Sequence, residues 1–87
     1  MRYEWDPAKD AENRRKHGIA FEISLEALDD PNRSEWVDDS DFYGEERIVT
    51  LGFSRQGILY VVSTERGLDV TRVISARRAN KHEQSWY

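Results

Sequence analysis

A chain of 87 residues has room for one hydrophobic core and not two, so a single domain spanning 1–87 is expected. With no cysteine, disulfides, thiolate metal sites and cysteine nucleophiles are excluded. The net charge of −4 argues by its sum against a nucleic-acid partner, yet residues 26–46 hold nine acids against Arg33 alone, a local balance of −8, which leaves +4 on the rest.

The N-terminal Met1-Arg2-Tyr3-Glu4-Trp5-Asp6 has no apolar signal core, and no apolar run approaches the roughly 20 residues of a membrane helix. A cytoplasmic location without membrane contact is therefore expected. Trp5-Asp6-Pro7 opens the first helix, with Asp6 as N-cap and Pro7 at the first helical position, where its missing N–H costs nothing. The helix is expected to run to about His17, where Gly18 closes it and Arg14, Arg15, Lys16 and His17 oppose the negative end of its dipole. Helical spacing sets Ala8 and Ala11 against a sheet and gathers Lys9, Asn13 and Lys16 on a polar face open to solvent or RNA.

Phe21, Leu25 and Leu28 recur at i, i+4 and i+7, predicting a second helix over Ile19 to Leu28 that stops at Asp29-Asp30-Pro31-Asn32. A short strand is expected at Ser34 to Val37, followed by an acidic loop over Asp38 to Glu46 around Gly44. Arg47 to Phe53 alternates, with Val49, Leu51 and Phe53 on one face and Ile48 and Thr50 on the other. Ser54-Arg55-Gln56-Gly57 then turns the chain into Ile58 to Thr64, the most apolar run and a candidate central strand. Past the turn at Glu65-Arg66-Gly67-Leu68, Asp69 to Ser75 returns antiparallel, with Val70, Arg72 and Ile74 on one face and Thr71, Val73 and Ser75 on the other. Asn80-Lys81-His82-Glu83 has capping-box spacing, so a last helix of about two turns is expected toward Trp86-Tyr87. The glycines are scattered as turns and no zinc-ligand spacing occurs, so neither a nucleotide cofactor nor a metal is expected.

Several segments in this order, Trp5-Asp6-Pro7-x-Lys9, Asn13-x-x-Lys16-His17-Gly18-x-x-Phe21, Asp29-Asp30-Pro31, Thr64-Glu65-Arg66-Gly67 and Arg72-Val73-Ile74-Ser75-Ala76-Arg77-Arg78-Ala79, resemble the BrnT family of type II toxin-antitoxin toxins. The resemblance implies an α+β, RelE-like fold: a small twisted antiparallel sheet with two N-terminal helices and a short C-terminal helix. It also implies a metal-independent ribonuclease, neutralised in a hetero-oligomer by a cognate BrnA-like antitoxin that makes the DNA contact. Two positions depart from the family's usual pattern: Asn80 stands where Thr is common, an equivalent cap, and Ser63 where a ring is common.

Metal-free RNA cleavage requires a base to activate the 2′-OH, a positive group to stabilise the phosphorane and an acid for the leaving oxygen. Arginine suits the second task because its planar fork binds phosphate oxygens bidentately and keeps its charge. Arg77, Arg66 and Arg78 are the phosphate-binding candidates, with pairing to acids near the last helix as the alternative for Arg77 and Arg78. Glu65, Lys16 and His17 are candidates for proton transfer or leaving-group stabilisation, against structural roles as an arginine partner and as helix-end cations. Lys9, Asn13, Arg72, Arg78 and Lys81 are candidate RNA contacts. Trp5, Trp36 and Trp86 are candidates for packing in a core or interface, with stacking on bases as the alternative. The competing reading of the whole chain is an interaction module of the same fold that has lost cleavage. No helix carries a long basic recognition face, so DNA contact is expected only through the antitoxin. The length of the returning strand, some seven residues or roughly 20 Å, separates an Arg66–Glu65 pair from Arg77, Arg78 and Lys16-His17.

Overall fold

The computed structural model describes residues 2–38 and 46–87; residues 39–45 of the expected acidic loop lie outside them. Among the described residues the elements run β1 (Arg2–Glu4), α1 (Pro7–His17), α2 (Phe21–Leu28), β2 (Ser34–Asp38), β3 (Arg47–Ser54), β4 (Gly57–Glu65), β5 (Val70–Arg78) and α3 (Lys81–Gln84). The strands form one sheet in the order β1-β5-β4-β3-β2. The expected antiparallel sheet is its β2 to β5 portion. β1 adds a parallel edge, pairing Arg2 with Val70 and Glu4 with Arg72, and makes the sheet mixed.

The first helix ends as its sequence prescribes. Asp6 accepts a hydrogen bond from the Ala8 N–H at 2.9 Å, Pro7 occupies the first turn, and Gly18 closes the helix in the left-handed region with φ 70°. Its buried side differs from expectation: Ala8 and Ala11 are exposed, and Asn13 turns inward to 6% exposure. The Asn13 amide donates to the carbonyls of Ile19 and Ala76, each at 2.8 Å, and accepts from the Ala76 N–H at 3.2 Å. It thereby pairs with β5 as a neighbouring strand would, beyond the point where β1 stops.

Helices α1 and α2 cover one face of the sheet, and the core lies beneath them: Ile19, Phe21, Ala27, Leu59, Val61, Val73 and Ala76, with Trp5, Ile23, Leu25 and Leu28 packed around. Gly52 lets α2 approach closely, since a Cβ there would lie 2.1 Å from the Ala27 carbonyl oxygen. Val73 and Ala76 both face this core although they are three residues apart on one strand. The register explains it: Ser63 pairs with Val73 and Val62 with Ser75, so Ile74 is an extra residue, a bulge. Ser75 therefore shares the face of Arg72 and not that of Val73, a correction to strict alternation.

On the opposite face no α1 or α2 residue intervenes, and α3 folds back over one end. Asn80 and Glu83 form the expected capping box. The C-terminus is tied down by the Ser34 hydroxyl donating to the Trp86 carbonyl at 3.0 Å and by the Tyr87 hydroxyl donating to Asp30. Asp30 also accepts the backbone N–H groups of Asn32 and Phe53, and these three bonds, the Tyr87 one first, hold its carboxyl below the usual aspartate value.

Candidate functional site

The face opposite α1 and α2 collects cations and rings in register. One row runs Ser34, Leu51, Tyr60, Arg77; the next Trp36, Val49, Val62, Ser75; the third Asp38, Arg47, Thr64, Arg72 and Glu4. Arg77 engages both a ring and a carboxylate on this face. Its guanidinium carbon stands 4.1 Å from the Tyr60 ring centroid, a cation–π contact. Its two terminal nitrogens donate to Glu83, Nη1 to Oε1 at 2.8 Å and Nη2 to Oε2 at 2.7 Å. Glu83 is the third residue of the α3 capping box and its Oε1 also accepts the Asn80 N–H at 2.9 Å. The helix cap and the arginine are thus one unit, and the orientation of Arg77 is set by the start of α3.

The electrostatics follow from this contact. The Arg77 hydrogen bond, outweighing desolvation, holds the Glu83 carboxyl below its ordinary value, and the same bond raises Arg77. Burial, with the Asp38 charge, pushes the Tyr60 phenol up against the opposing pull of Arg77. Arg72, four residues along β4 in register and so about 13 Å away, donates to Glu4 on β1 at 2.5 Å. Arg47, Arg72 and Arg77 therefore stand on one face, and the spacing of Arg72 from Arg77 suits separate phosphates better than one.

The other sequence candidates disperse. Arg78 follows Arg77 on β5 and so points to the helix side, where its Nη1 reaches the His17 carbonyl at 3.4 Å. In the expected grouping of Arg77 with Arg78, Lys16 and His17, the pleat separates Arg78 from Arg77, while Lys16 and His17 lie along β5 at Ile74 and Ser75. Lys16 is exposed and pairs with Glu12 at 3.0 Å, a bond that lowers the Glu12 pKa. Lys9, Lys16 and His17 line a shallow groove between α1 and β5 together with Glu12, Ile74 and Ser75. Asn13 is corrected from an exposed RNA contact to a buried bridge, since its amide is engaged with the backbone of Ile19 and Ala76. Glu65 and Arg66 are exposed at the far end of the β4–β5 hairpin, and Lys81 is exposed on α3.

Sequence reasoning offered pairing with acids near the last helix as the alternative for Arg77, which Glu83 fulfils, but it missed Tyr60 as the platform of that arginine. The capping-box spacing flagged Glu83 as a cap, but nothing local marks a carboxylate as serving two donors. Tyr60 was hidden by the bulge, because an unbroken hairpin register would place Arg77 opposite Leu59 on the helix side. A row of rings extends from this point: Tyr60 to Trp36 at 6.4 Å, Trp36 to Trp86 at 6.0 Å, and Trp86 to His82 at 4.9 Å, all edge-on. Among the described residues no group of three or more His, Asp or Glu side chains is arranged to hold a metal.

Comparison with known proteins bears on this arrangement. The family described as "Ribonuclease toxin, BrnT, of type II toxin-antitoxin system" matches residues 5–83. The crystal structure of the Brucella abortus ribonuclease toxin BrnT superposes with a TM-score of 0.67 at 26% identity, covering 93% of this chain and 99% of that one. No curated protein matches. The matched segment takes in both N-terminal helices, the whole sheet after β1 and the Glu83 that holds Arg77, and the chain belongs to the BrnT family of ribonuclease toxins of type II toxin-antitoxin systems.

Proposed function

We propose that this toxin cleaves RNA endonucleolytically and without a metal on the face of the sheet opposite α1 and α2. The observation that carries the reading is Arg77, held over Tyr60 by Glu83 and sharing its face with Arg72. A fork already oriented by a bidentate partner loses little rotamer freedom when a phosphate replaces or joins that partner. In this reading Arg77 stabilises the charge that develops on the phosphorane oxygens as the 2′-OH attacks, and Arg72 holds a neighbouring phosphate. The groove at the open edge of β5 continues the track, because Ser75 belongs to the Arg77 face and also lines the groove with Lys9, Lys16 and His17. His17 is the proton-transfer candidate and Lys16 the leaving-oxygen partner at that edge. Arg66 and Glu65 serve the strand as it leaves the hairpin turn, outside the reacting centre, while Lys81 and Arg78 are peripheral contacts. A cognate antitoxin of the BrnA type neutralises the enzyme in a hetero-oligomer and supplies the DNA contact.

The test is incubation of antitoxin-free protein with RNA in chelator. Cleavage products are expected, and a folded Arg77→Ala variant is expected to lose at least about a hundredfold in rate, the scale of one charge-stabilising donor. Expression without antitoxin should arrest growth for the wild type and not for the variant. One observation favours a second reading, a non-catalytic module: Glu83 occupies both terminal nitrogens of Arg77. Absence of products beside an active control toxin would select it.

A further inference from the structure

Resting on the reading of the face opposite α1 and α2 as the RNA surface, we propose that the corner between Trp36 and Trp86 is a nucleobase subsite, taking the base next to the phosphate held by Arg77. The two indoles meet at 6.0 Å and 85°, and Ser34 closes the corner. A planar ring entering it lies flat on one indole and presents its edge to the other, the two arrangements that aromatic pairs prefer. The corner's polar group is already used, since the Ser34 hydroxyl donates to the Trp86 carbonyl. Recognition there is therefore by π-face and tolerant of base identity.

Trp86 is 48% exposed at a place where it is nonetheless held firmly. Its backbone N–H bonds to the Glu83 carbonyl at 2.9 Å, its carbonyl accepts from Ser34, and its ring packs on His82. The corner is joined to the cation by a single shared ring: Tyr60 touches Trp36 edge-on at 6.4 Å and carries the Arg77 guanidinium at 4.1 Å. A phosphate on Arg77 and a base in the corner are thus neighbouring demands on one strand. An apolar protein segment would fill the corner equally well, but Arg77 and Arg72 on the same face select a polyanion that carries flat rings.

The experiment measures binding of a non-cleavable 2′-O-methyl oligoribonucleotide, and of an abasic strand of equal length, to the whole protein. Tryptophan fluorescence is the readout. The wild type is expected to prefer the base-bearing strand by on the order of tenfold, with quenching. Trp86→Ala should abolish the preference and Trp86→Phe should keep most of it. Equal affinity for the two strands, or an unchanged preference in Trp86→Ala, overturns the subsite, whereas RNA cleavage by the wild type decides the parent reading separately. Wild-type protein that binds neither strand overturns both. Loss of antitoxin binding in Trp86→Ala with the base preference intact marks the corner as a protein-docking surface and overturns the proposal.

Discussion

Glu83 accepts from two Arg77 nitrogens and from the Asn80 N–H, so one carboxylate closes the helix cap and orients the arginine. Removing it as Glu83→Ala should cost on the order of 2 kcal/mol at neutral pH, the sum of a lost cap bond and a partly solvent-screened charged pair. The pH dependence has a definite sign. Because the folded carboxyl titrates below the ordinary 4.5, its contribution is full above that value and is lost as the pH falls through the lowered pKa. Denaturant midpoints of wild type and variant should therefore converge as the pH falls below 4.5 and through the lowered pKa. A gap that stays constant throughout that acidification would mean the carboxylate charge contributes nothing. In the sequence Glu83 reads as a capping residue and acids near the last helix as the alternative partners of Arg77, but nothing there shows that one carboxylate does both.

Among the elements, the edge of β5 is the most informative. β1 covers it only through Arg72, and the Asn13 side chain takes over at Ala76, satisfying one N–H and one carbonyl that would otherwise be buried without a partner. Asn13→Ala should destabilise the fold by about 3 kcal/mol, since three backbone groups lose their partner in a dry site. Amide exchange at Ala76 should rise faster than at Val61 in the sheet centre, and equal acceleration at both would refute the edge role. The polar identity of Asn13 pointed outward by composition and spacing, and only contact with β5 turns it inward. The caps on either side of it, Asp6, Pro7 and Gly18, were readable because capping is decided within a few consecutive residues.

For the molecule as a whole, a net charge of −4 coexists with a face bearing Arg72 and Arg77, so RNA binding should be steeply salt-dependent despite the acidic sum. Each phosphate contact to a single strand adds roughly −0.7 to the slope of log affinity against log salt, so Arg72→Gln should reduce its magnitude by about 0.7. An unchanged slope in that variant would remove Arg72 from the RNA track. Periodicity and local chemistry were enough to specify two N-terminal helices, four of the strands, both hairpin turns and the last helix. They also carried the family resemblance, because its segments are runs of consecutive residues. What only the tertiary structure decided is which candidates meet. A three-residue β1 has no period to detect, and its parallel pairing depends on where the chain end returns. The single extra residue at Ile74 reverses every side chain after it, which brings Arg77 onto Tyr60 and sends Arg78 to the helix side. Alternation along a strand is a local property, whereas the register that gives it meaning is set by the neighbouring strand, and so the arginines were visible in the sequence while their common face was not.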